Sequence, residues 1–362
     1  MKTKILYVVS NLRRTGPVNQ LLNIINNLDK NIFDCTVLTL SPEPVNEKES
    51  RLIDYNESGI KVHSLNLSRI GSVLKGKNNL KKFISHYLPD IIQTQGLRAD
   101  SLVCSIKPSV SWITTSRNFP IEDYPSKFGF LKGTLMAKKH MRVLASCPHL
   151  VSCSFSIAEK LKGCDISSLV ISNGVSNPDF KVLDKPIANP IRLISVGSLI
   201  KRKNMEYIID FAKSFSDLGY EFNLLILGDG PLREHLSKIS PDNVQFIGNV
   251  DNVGKYLIES DLFISSSYSE GLPNTVLEAI SYGLPVILSD IPPHKEITNS
   301  LDSSFSIDFS LSDSPKNLAF NLSNELPKLI NISNTTLSDK AIKLFGAKAM
   351  SQSYQKLYKD CL

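Results

Sequence analysis

Residues 192–231 read RLISVGSLIKRKNMEYIIDFAKSFSDLGYEFNLLILGDGP and hold two apolar runs with an amphipathic stretch between them. The runs Arg192–Val196 and Asn223–Leu227 have the length and composition of buried strands. Between them, Met205–Leu218 repeats its apolar residues at helical spacing. Strands that alternate with helices are typical of βαβ units. The stretch therefore predicts an α/β fold built on parallel sheets.

The same alternation of apolar runs and amphipathic stretches extends over the rest of the chain. Among residues 1–177 we expect strands at Lys4–Val9, Phe33–Leu40, Lys61–Leu65, Asp90–Thr94, Ser111–Thr115, Leu150–Ser154 and Ser168–Ser172, and helices near Val18–Leu28, Leu80–Tyr87, Leu131–Leu144 and Ile157–Lys162. Further along we expect helices at Leu232–Ile239 and Thr275–Tyr282, strands at Val244–Ile247, Leu262–Ser265 and Pro285–Leu288, and one or two helices in Leu337–Tyr358.

The chain is long enough for about two domains, since 362 residues exceed what one hydrophobic core usually organises. Residues 178–190, PDFKVLDKPIANP, hold three prolines and little periodicity, so they predict a linker. We therefore expect Rossmann-like domains at 1–177 and 191–340, and a C-terminal helix at 341–362 that packs back on the first domain. Two such parallel sheets would face a central cleft at the carboxyl ends of their strands.

Composition indicates a globular protein, with 42% hydrophobic and 21% charged residues. The apolar run from Ile5 to Ser10 is too short for the core of a signal peptide and is better explained as a first buried strand. No apolar stretch reaches the roughly 18 residues of a membrane span. The six cysteines form no C-x-x-C pair, which is typical of a reducing compartment. We expect a cytoplasmic protein.

The net charge of +6 is unevenly divided between the two halves. Residues 1–180 carry 23 lysines and arginines against 14 aspartates and glutamates, a balance of +9, whereas residues 181–362 carry 18 against 21, a balance of −3. A basic half indicates an anionic partner: nucleic acid, anionic lipid or a phosphorylated acceptor. The motifs described next favour the last two, and we expect no nucleic acid.

The stretch Glu270–Ala279, EGLPNTVLEA, is the strongest candidate for a site. It follows the strand predicted at Leu262–Ser265 and leads into a helix whose N-cap is Asn274, a preferred capping residue. Backbone N–H groups of the first turn would bind an anion at the positive end of the helix dipole. Glu278 leans back toward that end, and Glu270 approaches it from the loop. Two such carboxylates suit a ligand with a phosphate centre and hydroxyls at both ends.

A cationic loop follows another predicted strand. The stretch Val196–Asn204, VGSLIKRKN, brings together Lys201, Arg202 and Lys203. A lysine acts on phosphate as a point charge and an arginine as a bidentate fork, so a loop of this kind is a candidate diphosphate clamp. The other interpretation is a solvated basic loop.

These motifs resemble those of the retaining GT-B glycosyltransferases, in the large glycogen-synthase-like group known as family four, and the resemblance extends over nearly the whole chain. The E-x7-E motif of that family matches Glu270 and Glu278 at the same separation. The resemblance implies that Glu278 binds the ribose of a nucleotide and that Glu270 contacts the transferred sugar. It also implies that the backbone between them holds the diphosphate, which adds donor-binding residues at Gly271, Pro273, Asn274, Thr275 and Val276.

The resemblance implies further roles outside this motif. In the family an arginine and a lysine neutralise the departing diphosphate. Lys203 matches the lysine, whereas Ser198 stands where the arginine is usual, so that Arg202 would substitute for it. Gly248 lies in a segment that borders the base, and Gly16 matches one glycine of a loop near the donor phosphates. The residues that we expect to be catalytic are Glu270, Lys203 and Arg202, and Ser198, Gly248 and Gly16 join the donor-binding set.

Four residues of the first half are candidates for the acceptor side because they follow predicted strands, namely Arg13, Arg98, Arg117 and Asp123. The stretch Thr115–Tyr124, which holds the last two, is either an acceptor contact or an ordinary polar loop. The family often has histidines where this chain has Gln93 and Gln95, so no catalytic histidine is assigned there.

We expect a metal-independent glycosyltransferase without a cofactor, because the histidines lack metal-binding spacing and no D-x-D motif is present. Its donor substrate would be a nucleoside-diphosphate sugar, and its acceptor a glycan or a polyprenyl-linked glycan in surface polysaccharide or lipopolysaccharide biosynthesis. Retention of anomeric configuration is implied by the resemblance. The alternatives are a sugar-nucleotide epimerase of the same architecture and, in a different class, a two-domain solute-binding protein.

Two stretches of the first half alternate cations with apolar residues, which favours peripheral association with an anionic membrane at the inner face of the cell. Residues 69–87 hold Lys75, Lys77, Lys81 and Lys82 among Leu74, Leu80, Phe83 and Ile84. Residues 125–144 hold Lys127, Lys132, Lys138, Lys139 and Arg142 among Phe128, Phe130, Leu131, Leu135 and Met136. The other interpretation is that the apolar residues face the domain core and the cations are only solvated.

Overall fold

The computed structural model describes residues 2–329 and 332–362, without the side chain of Arg69. Met1, Ile330 and Asn331, which fall in the predicted domains, and the Arg69 side chain, in the first cationic stretch, lie outside the described residues. The chain forms two compact units. One consists of Met1–Gly174 and Ala347–Leu362, and the other of Val175–Gly346.

The first unit is built around a seven-stranded parallel sheet. Its strands are β1 (Thr3–Val9), β2 (Phe33–Thr39), β3 (Lys61–Ser64), β4 (Ile91–Thr94), β5 (Ser111–Ser116), β6 (His149–Ser152) and β7 (Leu169–Val170). Its helices before residue 174 are α1 (Gly16–Asn26), α2 (Leu52–Glu57), α3 (Arg69–Leu74), α4 (Gly76–Tyr87), α5 (Leu97–Ile106), α6 (Pro120–Phe128), α7 (Phe130–Ala145) and α8 (Phe155–Lys162). The strand order is β3-β2-β1-β4-β5-β6-β7.

Strand β1 shows why the strands of this chain are continuous apolar runs. Its side chains alternate between the two faces of the sheet, so that Ile5, Tyr7 and Val9 join one core cluster and Leu6 and Val8 join another. All five are buried. A parallel sheet is covered by helices on both faces, and neither face of such a strand can therefore be polar.

The second unit is built around a six-stranded parallel sheet. Its strands are β8 (Ile191–Val196), β9 (Phe222–Leu227), β10 (Val244–Gly248), β11 (Leu262–Ser265), β12 (Val286–Ser289) and β13 (Ser306–Phe309). Its helices are α9 (Met205–Asp217), α10 (Arg233–Ile239), α11 (Gly254–Glu259), α12 (Asn274–Ser281), α13 (Pro292–Thr298), α14 (Pro315–Leu329) and α15 (Asn334–Phe345). The strand order is β10-β9-β8-β11-β12-β13.

The core of this unit depends on the aromatic residues of α9. Phe211 and Phe215 stack with ring centroids 5.5 Å apart, and Phe215 also contacts Phe222 of β9 at 5.3 Å. All three are buried in one cluster. Burial of a side chain of this size stabilises the fold by about 1.5 to 3 kcal/mol. The apolar face of α9 therefore holds that helix on the sheet.

After Gly346 the chain returns to the first unit through a last helix, α16 (Ala347–Asp360). Tyr354 and Tyr358 of this helix are completely buried. The hydroxyl of Tyr358 donates to the side-chain carbonyl of Gln93 and lies 3.1 Å from the hydroxyl of Tyr7. Helix α16 is thus a structural part of the first core, on the same side of the sheet as α1.

The segment predicted as a linker, residues 178–190, belongs to the second unit. The Nζ atom of Lys185 donates to the carbonyl oxygens of Ile258 and Ser260, at 2.6 Å each. Burial lowers the pKa of Lys185, and the neighbouring charge of Asp261 opposes that shift. These bonds fasten the segment to the end of α11.

Both sheets have a position where the strand order changes direction, between β1 and β4 in the first unit and between β8 and β11 in the second. At such a position the loops that follow the two strands leave in opposite directions and open a crevice at the carboxyl edge of the sheet. Ligands of open α/β sheets bind in this crevice. The site of each unit is therefore expected in the loops after these strands.

The predicted α/β fold with two Rossmann-like, parallel-sheet domains is confirmed. Sequence reasoning missed several elements, among them α13 and α14. It also took Thr115–Tyr124 for a polar segment, whereas α6 begins within it at Pro120. Proline at the start of a helix leaves no extra donor unpaired, since the first N–H groups have no intrahelical partner in any case. A proline-rich start therefore hid these helices from a search for apolar periodicity.

Candidate active site

The loops after β8 and β11 lie next to each other, because these strands are neighbours at the point where the sheet changes direction. After β8 the chain passes Gly197 and makes a single 3₁₀ turn at Lys201–Lys203. After β11 it passes through residues 266–273 and enters α12. The two loops are also joined by their backbones, since Tyr268 N donates to Arg202 O at 2.9 Å.

Glu270 is the centre of a charged cluster formed by these two loops. Its Oε1 lies 2.7 Å from Nζ of Lys203 and accepts a hydrogen bond from Oγ of Ser267 at 2.8 Å. Its Oε2 accepts from Nη1 of Arg202 at 2.8 Å. The side chain of Glu270 is only 9% exposed. The structure thus brings together the three residues that the sequence predicted as catalytic.

Electrostatics keep Glu270 ionised in this buried position. Burial by itself raises the pKa of a carboxyl group, but the charges and hydrogen bonds of Lys203 and Arg202 outweigh it and lower the pKa of Glu270 to about 2. A carboxylate in this state only accepts hydrogen bonds. The cluster therefore has two cations and one anion, with a net positive charge that suits an anionic ligand.

Lys203 packs closely over Gly197, at the start of the loop after β8. A Cβ at Gly197 would lie 3.2 to 3.4 Å from the end of the Lys203 side chain, closer than usual packing allows. By contrast, Ser198 and Lys201 are exposed. Within the part of the chain that the structure describes, Lys201 forms no ion pair. Arg202 rather than Lys201 accompanies Lys203 in the cluster.

The start of α12 corrects one detail of the sequence interpretation. Asn274 is the first residue of the helix, and Pro273 is the N-cap, with extended backbone (φ −74°, ψ 107°) and no side-chain cap. The expected asparagine cap is therefore wrong, because the fixed φ of proline already sets the helix entry. The N–H of Val276 donates to Pro273 O at 3.1 Å, so it is not open to a ligand. The N–H of Thr275 comes too early for an intrahelical partner.

In helix α12, Glu278 lies about one turn after these N–H groups, and it is partly exposed. The flanking side chains Val276, Leu277, Ala279 and Ile280 are all buried. Because this apolar face is anchored in the core, Glu278 has a fixed place on the opposite face. Gly271 and the buried Leu272 form the short connection between Glu270 and Pro273.

Two glycines allow the carboxyl ends of the neighbouring strands β9 and β10 to lie close together. Gly228, after β9, has φ +127° and its N–H donates to Gly248 O at 2.8 Å, while Gly248 itself has φ +84°. A Cβ on Gly228 would overlap the carbonyl oxygen of Gly197. Only glycine therefore allows these chain segments to come so close. Gly248 lies at the carboxyl end of β10, and its predicted role beside the base of the nucleotide stays a prediction.

In the first unit, the loop after β1 carries two of the predicted residues. Gly16 is the first residue of α1, after Thr15 in the N-cap position. Arg13 is exposed and lies 3.8 Å from the carboxylate of Glu49. Its backbone pairs with Ser50 in an isolated antiparallel bridge. Both residues are thus at the carboxyl edge of this sheet, where its strand order changes.

The other three acceptor-side candidates differ in their surroundings. Arg98 of α5 donates to the carbonyls of Leu67 and Ser68 and to the hydroxyl of Ser72, and so holds the segment before α4. Arg117 follows β5 and donates to the side-chain oxygen of Asn173. Asp123, in the first turn of α6, accepts from Asn118 at 2.5 Å. Of these, Arg98 has an evident structural task, whereas Arg117 lies directly at the strand end.

Sequence reasoning missed three residues beneath the charged cluster. Ser267, Ser289 and His294 are all completely buried. The signal that would have indicated them is the polar residues after two predicted strands, Ser266 and Ser267 after Leu262–Ser265 and Ser289, Asp290 and His294 after Pro285–Leu288. Polar residues at the end of a parallel strand are candidates for a site.

Within residues 2–329 and 332–362, no group of three or more His, Cys, Asp or Glu side chains is placed to hold a metal ion. Over the same residues, no helix combines the length and apolarity needed to cross a membrane.

Comparison with known proteins agrees with this geometry. Residues 180–325, most of the second unit, match the family described as glycosyl transferases group 1. The O-antigen biosynthesis glycosyltransferase WclY of Escherichia coli is 25% identical over 333 residues, and the match covers 84% of this chain and 85% of that protein. An uncharacterized glycosyltransferase of Methanocaldococcus jannaschii is 27% identical over 266 residues, covering 66% of this chain and 65% of that protein.

The fold is shared with solved structures. Anabaena HepE in complex with UDP superposes with a TM-score of 0.77 at 14% identity, over 99% of this chain and 100% of that one. The fold is that of the GT-B glycosyltransferases. More narrowly, residues 180–325 form a domain that matches the group 1 glycosyl transferases, and the relatives, which are named glycosyltransferases, do not favour a sugar-nucleotide epimerase.

Proposed function

We propose that this glycosyltransferase transfers a sugar from a nucleoside-diphosphate donor held by its second unit to a glycan or lipid-linked acceptor. The observation that carries the proposal is the buried Glu270 carboxylate, bound by Lys203 and Arg202 where the sheet changes direction. The named ligand of HepE, UDP, supports a nucleoside diphosphate as the class of donor.

The assigned roles follow from charge. When the sugar leaves the nucleotide, the electron pair of the broken bond remains on the diphosphate, and negative charge grows there. Lys203 and Arg202 are cations held at fixed positions, so they stabilise this charge without the cost of reorganising solvent. Glu270 can accept hydrogen bonds from hydroxyls of the sugar, while Glu278 would accept from the ribose. The N–H of Thr275 adds a donor at the positive end of α12.

The acceptor side is proposed for the first unit, whose basic balance suits an anionic acceptor. Arg117 and Arg13 are the candidates best placed for it, at the carboxyl edge of the sheet. The name of the relative WclY supports O-antigen or lipopolysaccharide assembly as the biological setting. Retention of configuration, the absence of a cofactor and a cytoplasmic location belong to the same proposal.

A panel of nucleotide sugars tests the proposal without knowledge of the acceptor. Pure protein would be incubated with UDP-glucose, UDP-galactose, UDP-N-acetylglucosamine, GDP-mannose and dTDP-rhamnose, and the released nucleoside diphosphate measured. We expect slow release from one of these donors, and loss of that release in a Lys203→Ala variant. Interconversion of the sugar with no nucleotide release would instead indicate an epimerase. The anomeric configuration of a product, read by NMR, tests retention.

We also propose that the first unit binds an anionic membrane surface, and the exposed tip of the α6–α7 pair supports this. Phe130, Leu131 and Leu135 are 76%, 79% and 71% exposed, and Phe128 is exposed as well. The cations Lys127, Lys132, Lys138, Lys139 and Arg142 around them are exposed too. Of the five apolar residues named for this stretch, these four therefore do not face the core and Met136 is half-buried, whereas Met141, Val143 and Leu144 further along α7 are buried.

In the first cationic stretch, residues 69–87, some apolar residues face the core and others are exposed. Leu80 is completely buried and Phe83 and Ile84 are half-buried, so α4 uses its apolar face for the core. Helix α3, in contrast, exposes Ile70, Val73 and Leu74. Helices α4, α5 and α7 contribute to the same core cluster. An exposed apolar patch with cations around it is the pattern of a surface that lies on anionic lipid.

Helices α6 and α7 can form such a narrow pair because Gly133 has no side chain. A Cβ at Gly133 would overlap the carbonyl oxygen of Tyr124. The pair is pinned to the unit by a buried network in which the hydroxyl of Tyr124 lies 2.7 Å from Nδ1 of His140, and Nε2 of His140 lies 2.8 Å from Asp100. The exposed tip is therefore presented on a rigid support.

A further inference from the structure

Beneath the charged cluster, a chain of hydrogen bonds leads from His294 to Glu270. Nδ1 of His294 lies 2.9 Å from the carbonyl oxygen and 3.0 Å from the hydroxyl of Ser289. The hydroxyl of Ser289 donates to the carbonyl oxygen of Ser267 at 2.8 Å. The hydroxyl of Ser267 donates to Oε1 of Glu270 at 2.8 Å. The four residues belong to three elements, since His294 lies in α13, Ser289 in β12 and both Ser267 and Glu270 in the loop after β11.

Counting protons determines which atom donates and which accepts in each of these hydrogen bonds. Ser289 has one hydroxyl proton, and Ser267 O takes it. Both oxygens of Ser289 that face His294 are therefore acceptors, and Nδ1 of His294 must carry the proton. Nε2 of a neutral imidazole is then an acceptor, and this atom is buried with no hydrogen-bond partner among the described residues. A buried polar atom of this kind costs stability, so its presence calls for a compensating role.

The surroundings keep this imidazole neutral. Burial lowers the pKa of His294 from 6.5 to about 4, and the nearby charge of Glu270 opposes that shift without overcoming it, while Lys203 adds to it. A protonated His294 would add a third cation next to Lys203 and Arg202. A neutral ring instead supplies one fixed donor and leaves the charge of the cluster unchanged.

We infer that His294 is a positioning residue for Glu270, which it holds in place through Ser289 and Ser267. Glu270 has to stay where it neutralises two cations and yet present its oxygens to a sugar. The ion pairs alone would draw it toward whichever cation moves when a diphosphate binds. The bond from Ser267, itself anchored from below, gives Glu270 a contact that does not depend on the cations. The inference rests on the proposed role of Glu270 in donor turnover.

The test compares four variants on the nucleotide sugar that gives the highest release in the donor panel. His294→Leu removes the donor at similar volume, His294→Asn keeps an N–H donor in its place, Ser267→Ala removes the direct bond to Glu270, and Glu270→Gln marks the loss of the carboxylate charge. We would measure kcat and KM for nucleotide release, the Kd of the released nucleoside diphosphate by calorimetry, and thermal unfolding.

We expect His294→Leu and Ser267→Ala to lower kcat about tenfold, since a bond to a charged group is lost or misaligned. The Kd of the nucleoside diphosphate should change less than about twofold, and His294→Asn should recover most of the lost kcat. Wild-type kcat in both folded His294→Leu and Ser267→Ala would overturn the inference. The inference would also be overturned if His294→Leu and His294→Asn lost kcat to the same extent and both lost nucleotide affinity as well, because such losses indicate general disruption of the site. Ser267→Ala decides the matter if His294→Leu does not fold.

The same set separates this inference from the proposed function. If Glu270→Gln keeps wild-type kcat, the assigned role of Glu270 is wrong, and the inference that rests on it is wrong too. If Glu270→Gln is inactive while His294→Leu and Ser267→Ala are unaffected, only the positioning role of His294 is rejected.

Discussion

The ammonium group of Lys203 lies 2.7 Å from the carboxylate of Glu270, and the two side chains are 12% and 9% exposed. An ion pair this well buried is weak evidence for stability, because desolvation offsets much of the attraction, but breaking it by removing one partner is costly. Its position at the point where the sheet changes direction supports the catalytic role that we propose for it. A cation that is already desolvated and oriented needs little rearrangement to stabilise a departing diphosphate.

Lys203 is expected to matter far more for turnover than Lys201, although the two are separated by one residue. Lys203→Ala should lower kcat by about 10²-fold or more, the usual range when a preorganised charge at the reacting group is lost. Lys201→Ala is the matched control, because Lys201 is exposed and outside the cluster, and its turnover should stay within about twofold of wild type. The measurement is nucleotide release from the best donor of the panel. Comparable turnover in the two variants would place the diphosphate elsewhere.

Substitutions of the two glutamates of the E-x7-E motif should have different effects on nucleotide binding and on turnover. If Glu278 holds the ribose, Glu278→Ala weakens nucleoside diphosphate binding about 10-fold to 100-fold, since a charged hydrogen bond contributes about 1.5 to 3 kcal/mol. If Glu270 holds the sugar, Glu270→Gln lowers turnover while the nucleoside diphosphate still binds. Calorimetric titration of both variants checks this. Unchanged affinity together with full activity in both would contradict the assignment.

Stability should fall in mild acid because His294 is buried in the neutral form. Its pKa is lowered from 6.5 to about 4 on folding, so the unfolded state binds a proton first, and stability is full above pH 6.5 and is lost progressively as the pH falls from 6.5 to about 4. That loss is on the order of 3 kcal/mol, at about 1.4 kcal/mol per pKa unit. His294→Asn cannot titrate and should show a flatter profile between pH 6.5 and 4. Denaturant unfolding at a series of pH values measures it.

The matched control for this prediction is His86→Asn, at an exposed histidine of α4, which should keep the wild-type profile. Below pH 4.5 a second loss is expected as Glu270 is protonated, because its pKa is lowered from 4.5 to about 2. This part of the profile should remain in His294→Asn. An acid profile of His294→Asn identical to that of wild type would show that burial of this ring is not the cause.

Binding to membranes should be electrostatic and should depend on the α6–α7 pair. In liposome co-sedimentation the wild-type protein should bind only with anionic lipid and should dissociate as salt is added, because the Debye length falls to about 10 Å at 0.1 M. Replacement of Lys132, Lys138 and Lys139 by glutamate should abolish binding, since each cation near the surface contributes about 1 kcal/mol. The same charge change at Lys181, Lys255 and Lys316, which are exposed in the second unit, should leave substantial binding.

The apolar tip offers an independent test of the same surface. Phe130→Ser with Leu131→Ser keeps every charge and removes two exposed side chains. Its binding should be weaker than that of wild type at every salt concentration, if the tip enters the lipid interface. Wild-type protein that stays in the supernatant with anionic liposomes at low salt would reject the membrane proposal altogether.

Local sequence was sufficient for much of this structure. The alternation within residues 192–231 predicted β8, α9 and β9 to within a residue or two at each end, because the periods of strands and helices are local properties of the chain. The spacing of Glu270 and Glu278 pointed to a loop and a helix for the same reason. Where local signals were mixed, as at the prolines of α6 and α13, the elements were missed.

Tertiary structure alone decided which side chains meet. Three consecutive cations, Lys201, Arg202 and Lys203, look alike in sequence, and only the 3₁₀ turn after β8 directs the last two toward Glu270. His294 reaches Glu270 because β12 lies next to β11 in the sheet. Likewise, only packing shows that Leu80 is buried while Leu131 is exposed. Such contacts depend on the order of strands and the crossing of helices, which arise from the whole core, whereas periodicity specifies only one element at a time.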